Sequence, residues 1–520
     1  MNLTTDAWIP IIWNDGQAGT VSLRKAFERG AEIRDLAVRP HERIALMRLL
    51  ICIAQAALDG PADYDDWKDC RSRIVSSAVD YLRNWRHAFE LFGDGQRFLQ
   101  VANLTKAATK STGDDDSEDN STSKLDLALA TGNNTTLFDN AGGSERAFTS
   151  EKLALMLTTF QCFSPGGRIG LALWNGRETA GKGSSDHAPC LAGRMLHALV
   201  RDENLLATLH KNLLAKHHTE QLYGQNSWGK PVWGRMPEGP ADADAVHNAN
   251  RTYLGRLVPL ARAIWLADDC RSLILANGLE YGSYAEDGWR EPSATIVTRT
   301  VKNQPTRVVL SASIDKAAWR ELHVLTVKSV SQNTNGGPAV LQNISDEDAF
   351  DLWVGALVTD KAKPVDTIES VFHVPVAMLT ETSQMVYEKG VHLAGTTEFQ
   401  LKRAVSAYHK ELGDNLDRPE MKNRRRQIQN NAAAQFWTDI EQAVPRLMEV
   451  AAAPESLGLN SEWHKTAWGQ SVWRAARAAY EHACPHGTPR QIRAYALGLQ
   501  TLFAAPAEQA EVETEKEAEA

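Results

Sequence analysis

Apolar positions recur along the chain in two rhythms. From Pro40 to Leu58, Leu46, Leu49, Leu50, Ile53 and Ala57 fall at the spacing of one buried helical face. A second helix is predicted over Cys70–Phe92, with Ile74, Ala78, Tyr81, Leu82 and Trp85 inward, broken by Gly93 and Gly95. Glu151–Phe160 is a short helical run, and Leu191–Leu214 reads as mostly helical. Residues 254–275 read as short strands and turns. Val297, Val301, Val308–Leu310 and Val324–Val327 then alternate with polar residues, the period of half-buried antiparallel strands.

From about residue 370 the rhythm is helical again. Leu401, Val405, Tyr408 and Leu412 form one stripe. Ile428, Ala432, Phe436, Ile440, Val444 and Leu447 form the next, with Pro445 as a kink. Ala467, Trp468, Val472, Ala475 and Ala479 follow Ser461 as N-cap; Ile492, Tyr495, Leu499 and Leu502 follow Thr488 and Pro489. Four amphipathic helices on short connections predict an antiparallel bundle. The expected class is α+β: a mixed α/β domain over 1–367 and a four-helix bundle over 368–505.

At 520 residues the chain exceeds one typical core, which agrees with this division. The net charge of −9 is local: residues 110–123 carry −4 and the tail 507–520 carries −5. The body is neutral, and the segments 105–123 and 506–520 read as a disordered acidic insert and a disordered acidic tail. The run DDDSED lacks the glycine and glutamate of a calcium loop, since Asp119 and Leu125 hold those positions. The six cysteines form no CxxC pair, so no zinc ribbon or redox motif is expected. His187 and Cys190 fail the zinc-deaminase spacing, with Pro189 and Gly193 where Glu and Cys are needed. No cofactor is expected. Without a signal peptide or an 18-residue apolar run, a cytoplasmic protein follows.

P-loop, HExxH, GxSxG and Rossmann signatures are all missing. Attention passes to Gly132–Gly167, where GNNTTLFDNAGG and FQCFSPGG flank the helical run. Glycines permit sharp turns and close backbone approach, and Asn and Ser add uncharged hydrogen-bonding groups. An ordinary pair of surface loops fits equally well. Lys422, Arg424, Arg425 and Arg426 open the second bundle helix and could bridge two or three phosphates without reading sequence, or could form a solvated face. Lys361 is a further cation, in the turn 359–363. A hydrolase with acids such as Asp268 and Asp269, or a purely structural scaffold, remains open.

The order of features resembles the CasA family, the large subunit of Cascade, the type I-E CRISPR surveillance complex. The likeness runs nearly end to end, through NLTTDAWIP (2–10), LMRLLICIAQ (46–55), Phe98-Leu99-Gln100, the 132–143 loop and AAAQFWTDIE (432–441). The resemblance implies a non-enzymatic subunit that reads the protospacer-adjacent motif (PAM) of double-stranded target DNA and starts strand opening. Guide RNA (crRNA) supplies the long sequence reading. The other Cascade subunits and a recruited helicase-nuclease are the implied partners. The resemblance places the guide- and PAM-proximal loop at Thr136, Phe138 and Asn140, and the minor-groove glycine loop at Ser164, Gly166 and Gly167, reaching Gly170. It places the strand-parting wedge at Asp360 and Lys361, where the family often has Gln. A basic finger near 268–282 offers only Arg271 and Asn277. The helix between the two loops is the expected spacer.

Overall fold

Helix Pro40–Leu58 forms where its ends allow it. Pro40 stands in the first turn, where its missing N–H costs nothing, and the Glu42 carboxylate accepts from the Arg39 amide at 2.9 Å. Asp59, at a left-handed φ of 52°, ends the helix. In the computed structural model the described residues are 1–107, 120–129, 146–167, 169–180, 188–345, 348–414, 418–457 and 462–504. The chain divides into two units, Met1–Val376 and Ala377–Ala520. Residue 367, the expected boundary, lies within strand Lys363–Pro375, whose pairing with Ala349–Asp360 keeps it in the first unit.

The first unit mixes helices with small antiparallel sheets. One orders Ala18–Val21, Ile9–Trp13 and Ile33–Leu36; another orders Asn120–Ser121, Ser272–Asn277 and Arg262–Leu266. A third orders Leu104–Lys106, Ala172–Trp174 and Arg177–Glu178, and a fourth Lys363–Pro375, Ala349–Asp360 and His197–Arg201. Ile296–Val301 and Gln304–Val309 form a separate ribbon. Helices Pro40–Leu58 and Ser150–Phe163 pack together, and every side chain from Leu153 to Phe163 is buried. No described helix is long and apolar enough to cross a membrane.

Several predicted elements change. The predicted helix over 70–92 stops at Asn84, followed by the short 3-10 turn Arg86–Phe89. Leu191–Leu214 contains the strand His197–Arg201 and the short helix Leu205–Lys211. A short apolar run buried on both faces has no period to separate strand from helix, and pairing with Asp351–Gly355 decides for strand. Val324 sits in helix Leu322–Leu325, not in a strand. The ends of the supposed insert are structured: Thr105 and Lys106 pair with 172–173, and Thr122 is buried and donates to the Cys270 carbonyl at 3.1 Å. Residues 108–119 and the tail 505–520 lie outside the described residues.

In the second unit, helix Glu381–Glu411 packs against Lys422–Glu441, Val444–Ala452, Ala467–Ala483 and Pro489–Phe503. The expected second helix is thus two, and Pro445 starts the new one rather than kinking the old. Ser461 is outside the described residues; Thr466 caps the third segment instead. On Pro489–Phe503 the buried stripe is Ala494, Gly498 and Leu502, while Ile492 is exposed. A Cβ at Gly498 would stand 1.9 Å from the Tyr480 hydroxyl, so a missing side chain makes that inner face.

Candidate nucleic-acid interface

The two ends of helix Ser150–Phe163 are tied down differently. At the N-terminal end, Arg39 pairs with Glu42 (2.6 Å) and Asp126 (2.9 Å), and Lys152 approaches both acids at 3.5 and 3.6 Å. Burial alone would raise both acids' pKa values; bonds from Arg39 and the nearby Lys152 outweigh it and hold them below the ordinary range. Asp126 and Lys152 flank residues 130–145 in sequence. Thr136, Phe138 and Asn140 lie within 130–145, outside the described residues. His41, beside this cluster and against the Phe163 ring, is buried; burial first, then the Arg39 charge, push its pKa down to about 4.

At the C-terminal end, Ser164 is fully buried and is no surface contact. Its hydroxyl accepts from Arg262 Nε at 3.1 Å, and the Pro165 carbonyl accepts from the same guanidinium at 2.5 Å. Beyond this base the chain emerges: Gly166 and Gly167 are half-buried and Gly170 is exposed. Gly167 has φ +108°, and a Cβ at Gly167 or Gly170 would meet nothing within 4 Å. Open space thus lies over Gly167 and Gly170.

The 359–363 turn is the tip of the long hairpin. Asp360 pairs with Lys363, leaving Lys361 and Ala362 as the loop, with Lys361 at φ 55°. Asp360 and Lys361 are exposed. The register shifts between Val358 and Thr359, and Thr359 then faces Pro364, which has no amide hydrogen for the ladder. Nearer its base the hairpin is anchored: Arg43 reaches Glu369 at 3.2 Å and stacks over Trp353.

Of the two finger candidates, Arg271 is exposed but Asn277 is not. Asn277 accepts from Arg262 and donates to the Ala180 carbonyl at 2.6 Å, so it cannot face DNA. Asp268 accepts from Arg97 at 3.1 Å, while Asp269 caps its own turn through the amides of Arg271 and Ser272. Those contacts make the two acids turn and pairing residues, which gives the hydrolase alternative no support.

In the second unit, Lys422 and Arg424 are exposed in the first turn of helix Lys422–Glu441 and Arg426 just beyond it, with Arg425 half-buried. That turn carries no acidic residue. Cations there oppose the positive end of the helix dipole, a cost an incoming phosphate would remove.

The family model described as CRISPR-associated protein Cse1 matches residues 2–479. The chain belongs to the Cse1 family. Its Cse1 relatives include the CRISPR-associated protein CasA/Cse1 of Thermus thermophilus, 25% identical over 509 residues and covering 92% of each chain. The crystal structure of Thermus thermophilus CasA superposes with a TM-score of 0.73 at 22% identity, over 96% of this chain and 98% of that one. A chain of a CRISPR RNA-guided surveillance complex superposes at 0.68 and 16% identity, over 97% and 99%. At these identities the superpositions speak for the shared Cse1 fold. The mixed helix-and-sheet class expected from the sequence agrees with them.

Sequence reasoning missed Arg262. Its guanidinium joins Ser164 and Asn277, two residues read as separate contacts. The available signal was an arginine inside the apolar run ARAIWL with no acid at pairing distance in sequence. Buried Gln100 and Gln161 were missed as well. Their amides satisfy strand Arg262–Leu266, Gln100 accepting from Leu266 and Gln161 from Arg262.

Proposed function

We propose that this chain is the large subunit of a type I-E Cascade, reading the PAM of duplex DNA with its glycine loop and starting strand opening at the hairpin tip. The observation that carries the reading is the glycine loop. A buried, hydrogen-bonded base presents a short backbone segment with open space where side chains would be. Such a segment can enter the minor groove, whose edges offer a degenerate code that small groups read by width and close approach. Lys361, held at the end of an anchored hairpin, can occupy the gap left when the first base pairs part, at a cost of about a few kcal/mol per unstacked step.

In this reading the loop with Thr136, Phe138 and Asn140 faces the guide, and Lys422, Arg424, Arg425 and Arg426 hold phosphates. Guide RNA, the other Cascade subunits, target DNA and a docking helicase-nuclease are the partners, in the cytoplasm. The chain performs no chemistry of its own. Superposition on a chain of an RNA-guided surveillance complex supports the assignment. Cascade reconstituted with Gly166, Gly167 and Lys361 all replaced should lose PAM-dependent duplex binding; retention of that dependence would end the proposal.

A further inference from the structure

Arg262 is 1% exposed, yet no carboxylate among the described residues pairs with it. Burial pushes its pKa down to about 9, which leaves it protonated at neutral pH. An uncompensated buried cation is costly, and a hydrophobic residue of similar volume would ordinarily be better tolerated. What the guanidinium does instead is satisfy neutral acceptors. Nε donates to Ser164 Oγ at 3.1 Å, one terminal nitrogen to the Pro165 carbonyl at 2.5 Å, and the other to Asn277 Oδ1. Asn277, its cross-strand neighbour, passes the connection on to the Ala180 carbonyl at 2.6 Å. The backbone of Arg262 is gripped too. Its amide donates to Gln161 Oε1 at 2.8 Å, and its carbonyl accepts from Gln161 Nε2 at 2.9 Å.

We infer that Arg262 is the positioning residue of the glycine loop: through Ser164, Pro165 and Asn277 it ties both the start and the far end, Ala180, of segment 164–180 to strand Arg262–Leu266. It is too deeply buried to touch DNA, so it acts through the loop. The inference rests on the glycine loop being the PAM reader. Backbone readout of a groove depends on loop placement, because Gly166 and Gly167 have no side chains to adjust. A loop freed at its base would still meet phosphates but would no longer discriminate flanks.

The test uses reconstituted Cascade and a pool of guide-matched duplexes with randomised positions beside the protospacer, alongside unmatched duplex for non-specific affinity. Arg262→Met fills similar volume without charge or donors. It should flatten the enrichment between best and worst flanks by about tenfold, leave unmatched-duplex affinity and the thermal midpoint of the subunit in place, and speed amide exchange in 164–180. Arg262→Lys should recover part of the discrimination. An unchanged flank spectrum in Arg262→Met overturns the inference. Gly167→Val runs in parallel. If it flattens the spectrum while Arg262→Met does not, Arg262 has no positioning role and the loop reading stands. If neither changes it, the loop reading falls as well. Should Arg262→Met fail to assemble, Ser164→Ala carries the test, since among the described residues that buried hydroxyl makes only this link; reduced discrimination is expected, and an unchanged spectrum overturns the inference.

Discussion

Replacing Arg424 and Arg426 together by alanine should move folding and DNA binding in opposite directions. Both guanidinium groups are exposed, Arg424 in the first turn of helix Lys422–Glu441 and Arg426 just beyond it, and neither has an ion pair among the described residues. Arg424 opposes the helix dipole and Arg426 adds little to it, so removing both should stabilise the isolated chain by about 0.3–1 kcal/mol at low salt. If each holds one phosphate, the slope of log affinity against log salt should fall by about 1.8, and affinity at 0.1 M salt should fall by up to about 60-fold with non-electrostatic terms unchanged. The assay is duplex binding by reconstituted Cascade between 50 and 200 mM KCl, paired with thermal unfolding of the free subunit. The loss should be equal for favoured and unfavoured flanks, since phosphate contacts carry no sequence. An unchanged salt slope would refute the reasoning and leave the basic turn a solvated face.

Glu291, buried between Arg48 (2.8 Å) and Arg256 (2.5 Å), gives a stability prediction. Burial would raise its pKa, but the two guanidinium groups prevail and set it at about 2, against an ordinary value of about 4.5. That drop is worth about 3 kcal/mol, present above pH 4.5 and lost as pH falls through about 2. Glu291→Gln should cost about 3–5 kcal/mol near neutrality in denaturant unfolding, and the gap from wild type should narrow toward pH 2; a gap independent of pH would contradict the pairing. Lys361→Gly removes a left-handed lysine, gaining about 1 kcal/mol of relieved strain that the looser unfolded chain nearly cancels. Stability should stay within about 0.5 kcal/mol while opening of the first base pairs, followed by 2-aminopurine fluorescence, slows. Wild-type opening kinetics would remove Lys361 from the wedge.

Long apolar segments were legible as helices, although Pro40–Leu58 does not have the single buried face expected: it is buried all round from Ile44 to Gln55, and Ala57 is half-buried. The extent of Pro40–Leu58 was read to the residue, whereas the change to helices expected near residue 370 comes only at Glu381, after strand Lys363–Pro375. The hairpin tip at 359–363 was also correctly seen as a turn. Shorter pieces were not legible. His197–Arg201 is buried on both faces, and only the strand it pairs with reveals its conformation. The inner face of the last helix was misplaced because Gly498 packs through absence, which a hydrophobic stripe cannot register.

The candidate interface divides in the same way. Glycines, an aromatic residue and a basic run are properties of residue type, so the sequence by itself marked the candidate segments for a nucleic-acid interface. It also determined the family, since the order of short motifs survives even where each is weak. Only the tertiary structure decided which of those residues reach the surface. Ser164 and Asn277 turned inward because Arg262, 98 and 15 residues away from them in sequence, needs acceptors where it is buried. Hydrogen-bond demand of that kind is set by burial, and burial of a polar side chain depends on partners that sequence spacing does not bring together.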